Sequence, residues 1–190
     1  MDTSERLIRS TQELLRDRGY VGTSPKAIQQ HAQAGQGSMY HHFSGKPDLA
    51  LAAIRRSAEE MRAEAEAALA HGGTALERID AYLLREREVL RGCPIGRLAQ
   101  DPDVVASEDL RQPVQETLGW LQERLAGVLA DGVARGELPA DLDTGATAAT
   151  VAAVVQGGYV LARAADSVDH FDRAIQGVRK LLGAVSQHRQ

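Results

Sequence analysis

The sequence predicts an all-α protein, and three observations carry that reading. Apolar residues recur at alternating steps of four and three, as in Val114, Leu118, Leu121, Leu125 and Val128, and again in Phe171, Ile175, Val178, Leu182 and Val185. That spacing puts them on one face of a helix. Helix-start signals stand ahead of such stretches: Ser24 before Pro25, Thr74 three residues before Glu77, and Ser167 before the last stripe. No segment alternates apolar and polar residues as a half-buried strand would.

The first helix is expected from Ser4 to Arg18, opened by Asp2 and Glu5 at capping-box spacing, buried through Leu7, Ile8, Thr11, Leu14 and Leu15, and closed by Gly19. Ser24 and Pro25 then start a short helix that runs to about His31. A serine oxygen satisfies free N–H groups, and proline suits a first helical position whose N–H would be unpaired anyway. Ala27 and Ile28 give this helix its packing face. The small residues of Ala32 to Gly35 allow a sharp turn between helices crossed at roughly 90–120°. The third helix spans Gln36 to Phe43, with Met39 and Phe43 four apart on one face and Gln36, Ser38, Tyr40, His41 and His42 projecting elsewhere. One face packs, and the other stays polar and outward.

Pro47 and Asp48 restart the chain as a long helix through Leu51, Ile54, Met61 and Leu69, broken at His71-Gly72-Gly73. The Thr74/Glu77 capping box opens a helix with Leu76, Ile79, Leu83 and Leu90 on its apolar face, continuing to Gly92 before Cys93-Pro94 interrupts it. Ser107, Glu108 and Asp109 form another start, and Pro113 implies a kink or a restart. The Val114 stripe then reaches Gly136. Asp143 prepares a helix over Ala146 to Ala165, apolar on nearly every face and so expected to be buried on several sides, with Gly157-Gly158 permitting a close helix approach. Ser167 caps the last helix.

The run Gly37-Ser38-Met39-Tyr40-His41-His42-Phe43, with Gly19-Tyr20 and Thr23-Ser24 before it and Lys46 after it, resembles the TetR family of bacterial transcriptional regulators. The resemblance implies a three-helix N-terminal helix-turn-helix domain over residues 1–46 and a C-terminal bundle of about six helices over residues 47–190. It also implies that the third helix enters the major groove of an operator. Thr23, Ser24, Tyr40, His41, His42 and Lys46 are then candidates for phosphate contacts, and Gln36, Gly37 and Ser38 for base readout. The residue chemistry agrees: a phenol and an ammonium suit phosphate oxygens, whereas glutamine pairs in both directions with an adenine edge. Three positions depart from the family pattern. Gln33 stands where the turn commonly has glycine, Gly35 where serine or proline usually opens the helix, and Gln29 where a packed alanine is common.

Composition bounds the rest. A chain of 190 residues exceeds a lone DNA-binding module and has room for a sizeable core. The formal net charge is −4, but residues 1–50 hold a slight basic excess and the acid lies mainly elsewhere. So weak a basic excess predicts steep salt dependence and a need for two subunits to gather enough phosphate contacts. The charged start MDTSERLIRS and the lack of a long uncharged apolar run at a terminus predict no spanning or secretory segment, hence no membrane partner and a cytoplasmic location. Cys93 is the single cysteine, so no intrachain disulfide and no cysteine-rich metal site is expected. Ser38 and His41 could touch across a helical turn, but no acidic residue is placed to orient the histidine, and adjacent histidines face different ways. No catalytic residue, cofactor or metal is therefore expected.

The segments Gly92 to Asp101 and Val155 to Gly158 resemble the LmrA/YxaF-type branch of the family, which implies a small apolar or aromatic effector. Met61, Leu83, Ile95, Leu98, Trp120 and Tyr159 are candidate pocket walls, with Arg97 and Gln156 as polar anchors. The family's usual four-helix dimer interface would be built from the last two helices, through Val154, Gly158, Phe171, Ile175, Val178 and Leu182. The sequence thus reads as a homodimeric, ligand-responsive repressor of a palindromic operator. The rival reading is a helical small-molecule-binding protein or enzyme whose N-terminal domain no longer functions.

Overall fold

The structure, a computed structural model, describes residues 2–187. Among them are nine α-helices, two short 3-10 turns and no strand. The packing defines two compact units. The first comprises the chain up to Met61 together with Arg91–Leu118, and the second Arg62–Leu90 together with the chain from Gly119 onward. The domain division expected between residues 46 and 47 falls at the first turn of a helix, Lys46–Leu69.

In the first unit, α1 (Thr3–Arg18), α2 (Pro25–His31) and α3 (Gln36–His42) precede the start of α4 (Lys46–Leu69). Their shared core is Leu7, Leu14, Ile28, Ala32, Met39, Phe43 and Leu49. Full burial of a leucine, isoleucine or methionine side chain contributes roughly 1.5–3 kcal/mol, so these residues hold the three short helices that could not persist alone. Ile8 is only half-buried, against the edge of this cluster. Asp2 caps α1 as expected, accepting the Thr3 N–H at 2.7 Å, but Glu5 does not complete a capping box. Its carboxylate pairs instead with Arg9 at 3.2 Å and with Arg56 of α4 at 2.9 Å. The Arg56 hydrogen bond is the largest cause holding the Glu5 carboxyl below its ordinary pKa.

The first unit also contains a 3-10 turn at Leu98–Gln100, α6 (Pro102–Ala106) and the opening of α7 (Glu108–Ala134). Pro113 does not restart a helix. It lies inside α7, and the Thr117 hydroxyl donates to the Pro113 carbonyl at 2.7 Å. Cys93 is buried, its Sγ accepting the Gly96 N–H at 3.2 Å.

The second unit holds the end of α4, α5 (Ala75–Leu84), the rest of α7, α8 (Thr144–Ala165) and α9 (Asp169–Gln187). The Thr74/Glu77 capping box is present in full. The helix it opens ends at Leu84 rather than near Gly92, because Arg87 folds back and donates Nη1 to the Leu83 and Arg85 carbonyls at 2.8 and 2.9 Å and Nη2 to the Tyr82 carbonyl. A side chain satisfying the last carbonyls of a helix ends it, and no hydrophobic periodicity records that.

α8 is long and apolar enough to cross a membrane by length and hydropathy. It packs along α9, meeting Phe171 through Gly158 and Tyr159, and its buried residues also include Val151, Val155 and Ala162. A side chain on Gly158 would stand 2.9 Å from the Phe171 ring, so glycine is what admits this approach. Burial on several sides was expected of α8, yet Ala149, Ala153, Val160, Leu161 and Ala164 on its other side are exposed.

Candidate nucleic-acid interface

The site begins with how α2 and α3 are set. Ser24 caps α2, its hydroxyl accepting the Ala27 N–H at 3.1 Å, and Pro25 occupies the first turn. The turn into α3 passes through Gln33, whose φ of 50° is left-handed although it carries a side chain. Gln29 turns toward the core, its amide 3.5 Å from the Met39 sulfur. On α3, Met39 and Phe43 are buried, which leaves Gln36, Gly37, Tyr40, His41 and His42 facing outward. Tyr40 is 49% exposed. Ser38 is half-buried.

One phosphate-contact candidate is corrected. Thr23 is buried, and its hydroxyl donates to the Gly19 carbonyl at 2.7 Å, so it closes the turn after α1 instead of facing outward. Ser24 is exposed, and its hydroxyl, which accepts the cap N–H, keeps its own proton to donate. Lys46 is half-buried, its ammonium 3.8 Å from the centre of the Tyr20 ring. Such a cation–π contact directs a lysine that would otherwise sweep a wide arc. Burial holds the Lys46 ammonium below its ordinary pKa, while Asp103 and Asp101 act the other way. Burial, followed by the same two carboxylates, raises the Tyr20 phenol above its own.

One residue of this region was missed by sequence reasoning. Asp101 is buried, and one carboxylate oxygen accepts the N–H groups of Tyr20 and Val21 at 2.7 and 3.0 Å. The other accepts those of Asp103 and Val104, capping α6. Gly19, at a φ of 75°, makes room for it, since a side chain there would come within 2.8 Å of that carboxylate. The signal was available: Asp101-Pro102 repeats the cap-then-proline pattern of Ser24-Pro25.

The effector candidates divide between the units. Met61, Ile95, Arg97 and Leu98 belong to the first and Leu83, Trp120, Gln156 and Tyr159 to the second. Met61, Leu83, Ile95, Leu98 and Tyr159 are buried, whereas Arg97, Trp120 and Gln156 are half-buried. Tyr159 stacks at 4.9 Å on Phe171, and the Arg62 guanidinium lies 5.9 Å from the Trp120 ring. Five of the six dimerisation candidates need correction. Gly158, Phe171, Ile175, Val178 and Leu182 are buried in the chain's own α8–α9 packing, and Val154 is half-buried.

Comparison with known proteins fits this geometry. Residues 7–53 match the family model described as bacterial regulatory proteins, tetR family, and residues 75–178 match the tetracyclin repressor-like, C-terminal domain. The transcriptional regulator AcuR of Cereibacter sphaeroides is 31% identical over 149 residues, covering 75% of this chain and 68% of that protein. A TetR transcriptional regulator from Chloroflexus aurantiacus superposes with a TM-score of 0.84 at 26% identity, over 95% of this chain and 94% of that one. The fold is shared also with a cysteine mutant of the TetR family regulator CifR, solved in complex with 26-bp double-strand operator DNA, at a TM-score of 0.79 and 20% identity over 93% and 94% of the two chains. The two family matches, spanning both the helix-turn-helix and the bundle, show that the chain belongs to the TetR family of bacterial transcriptional regulators.

Proposed function

We propose that the protein is a cytoplasmic, homodimeric repressor that binds a palindromic operator through α3 and is released by a small apolar or aromatic effector bound in the helical bundle. The observation that carries the DNA contact is the division of α3: Met39 and Phe43 are buried while Gln36, Gly37, Tyr40, His41 and His42 face solvent. A helix held from behind by its apolar residues presents a fixed polar face to a groove. Gln36 and Gly37, at its N-terminal end, read base edges. Tyr40, His42 and Lys46 hold phosphates, Lys46 being steered by Tyr20.

A two-fold pair of such heads must sit about 34–36 Å apart to engage successive major grooves. An effector releases the operator by preferring a spacing that differs from this one, with a coupling free energy of about 1–3 kcal/mol. The second apolar face of α8, with Val160 and Leu161, and Leu181 on α9 supply the exposed surface that a second copy would cover. The LmrA/YxaF-type resemblance of Gly92 to Asp101 favours an effector with an apolar body. The test is an electrophoretic shift with DNA from upstream of the protein's own gene, at two salt concentrations and against scrambled duplex. Retention of the native duplex alone supports the reading; equal retention of both duplexes, or of neither, rejects it.

A further inference from the structure

Arg87, in the second unit, is a half-buried cation for which no carboxylate partner stands among the described residues. Its two Nη atoms are held by the carbonyls of Tyr82, Leu83 and Arg85 at the end of α5, but its Nε is buried without a hydrogen-bond partner. Its guanidinium lies 5.2 Å from the Tyr82 ring and 5.7 Å from the Phe171 ring. Arg85 adds a second positive charge, 5.5 Å from the same Tyr82 ring, and its Nε is also buried and unpartnered. Glu64 pairs with Arg85 and offsets that charge alone. Burial, and after it the neighbouring Arg85 charge, lowers the Arg87 pKa. A cation drawn part-way out of water without a counter-ion costs free energy, and an anion set against it would offset that cost.

Beside these two arginines is a hollow of about 290 Å³ whose apolar wall includes Leu83, Val89, Phe171 and Ile175. Leu84 and Val168 line it as well and are 53% and 44% exposed, making an apolar rim. Glu86 and Asp172 also line it and are exposed to solvent, so water screens their charge more than that of the guanidinium behind them. The volume lies just below the range usual for ligand sites, about 300–1,000 Å³, which suits only a small ligand.

We infer that this hollow binds a small organic anion, its charged group set against Arg87 and its apolar body between Phe171, Ile175 and the Leu84–Val168 rim. The inference rests on the effector reading above and narrows it: the ligand is amphipathic and negatively charged, not merely apolar. A carboxylate and a phosphate monoester share the required chemistry, and paired probes separate them.

The test is calorimetric titration of the full chain with benzoate, hexanoate and phenyl phosphate, each at millimolar concentration, against the neutral counterparts benzyl alcohol and hexanol. At least one anion is expected to bind tenfold or more tightly than its neutral counterpart, and carboxylate against phosphate identifies the head group. Arg87→Met should abolish that preference and Arg87→Lys retain most of it. Because Arg87 also caps α5, Val168→Glu is the second variant: on the exposed rim it leaves the core and the cap intact, sets a carboxylate at the mouth of the hollow and should weaken anion binding at least tenfold. Equal affinity for anions and neutral probes, no binding of any anion, or unchanged anion binding in Val168→Glu would each overturn the inference. Operator release separates the two claims. An anion that binds without releasing DNA sinks the effector reading and leaves the site; release by neutral probes alone sinks the site and leaves the effector reading.

Discussion

The Asp101 carboxylate accepts the Tyr20 backbone N–H at 2.7 Å and so ties the turn that follows α1 to the N-terminus of α6. With Val21, Asp103 and Val104 it satisfies four N–H groups, all of which lose their partner if the carboxylate is removed. Asp101→Ala is therefore expected to destabilise the protein by roughly 2–4 kcal/mol, the cost of a lost helix cap plus buried donors left unpaired. Asn at this position keeps one acceptor oxygen and should lose about half as much. Chemical denaturation midpoints of the three proteins measure this, and a loss below about 1 kcal/mol for Asp101→Ala would show that solvent replaces the carboxylate.

The outward face of α3 separates affinity from specificity. Tyr40→Phe removes a hydroxyl but no packing, since the residue is half exposed, and should weaken binding to specific and scrambled duplexes alike. Lys46→Ala should do the same and reduce the slope of log affinity against log salt by about one. Gln36→Ala should instead cost about 1–3 kcal/mol on the native operator and little on scrambled DNA, relaxing one half-site position. Fluorescence anisotropy on both duplexes distinguishes the two patterns; equal losses for Gln36→Ala would remove it from base readout.

Gln33 adopts a φ of 50°, a conformation that glycine reaches without steric cost and that other residues enter at about 1 kcal/mol. Gln33 is exposed, so replacing it sacrifices no packing. Gln33→Gly is expected to stabilise the helix-turn-helix by up to about 1 kcal/mol, less whatever entropy the added glycine brings to the unfolded chain. A rise in thermal midpoint checks it. A fall would mean that the Gln33 side chain contributes contacts exceeding its backbone strain.

The first three helices were legible in the sequence because their signals are local. Ser24 and Pro25 mark a cap within two residues, and Met39 with Phe43 separates a buried face from an exposed one within a single short helix. The readings that failed depend on what a residue meets far along the chain or beyond it. Thr23 looks exposed in a polar stretch, yet its hydroxyl back-bonds to Gly19. The apolar spacing of Leu83 to Leu90 continues past the point where Arg87 ends α5. The stripe of Phe171, Ile175, Val178 and Leu182 shows that α9 buries a face, but periodicity is silent on whether the same chain or a second copy covers it.

Acid sensitivity of the second unit follows from Glu66. Arg124 donates Nε and Nη2 to its two oxygens at 2.7 and 2.8 Å, and this is the largest cause holding the Glu66 carboxyl below its ordinary value of 4.5. As pH falls, the unfolded chain takes up the proton first. The pair's contribution is thus complete above the ordinary carboxylate pKa and is lost as pH drops through the lower folded value. Glu66→Gln should flatten the dependence of unfolding free energy on pH over the acid range that begins at the ordinary carboxylate value of 4.5, while changing it little above that value. Parallel curves for the two proteins over that interval would show that the pair does not survive in solution.

The self-association proposed for α8 and α9 rests on residues that the chain itself does not cover. Val160, Leu161 and Leu181 are 53%, 54% and 67% exposed, and around Gly157 and Gly177 there is open space where a side chain would stand. On α8, Ala149, Ala153, Gly157, Val160, Leu161 and Ala164 follow one another at helical spacing, so the uncovered surface is a stripe and not scattered leucines. A carboxylate in the middle of such a stripe costs little while it faces water and several kcal/mol once a partner desolvates it. Leu161→Glu and Leu181→Glu are accordingly expected to raise the dimer dissociation constant by at least about a hundredfold, near 3 kcal/mol, without changing the helix content of the isolated chain. Phe171→Ala, by contrast, opens a cavity against Tyr159 and should lower the stability of each chain by about 3–5 kcal/mol. Sedimentation velocity with circular dichroism on the same samples separates the two effects. A Leu161→Glu protein that sediments as the wild type does would place the interface on another face.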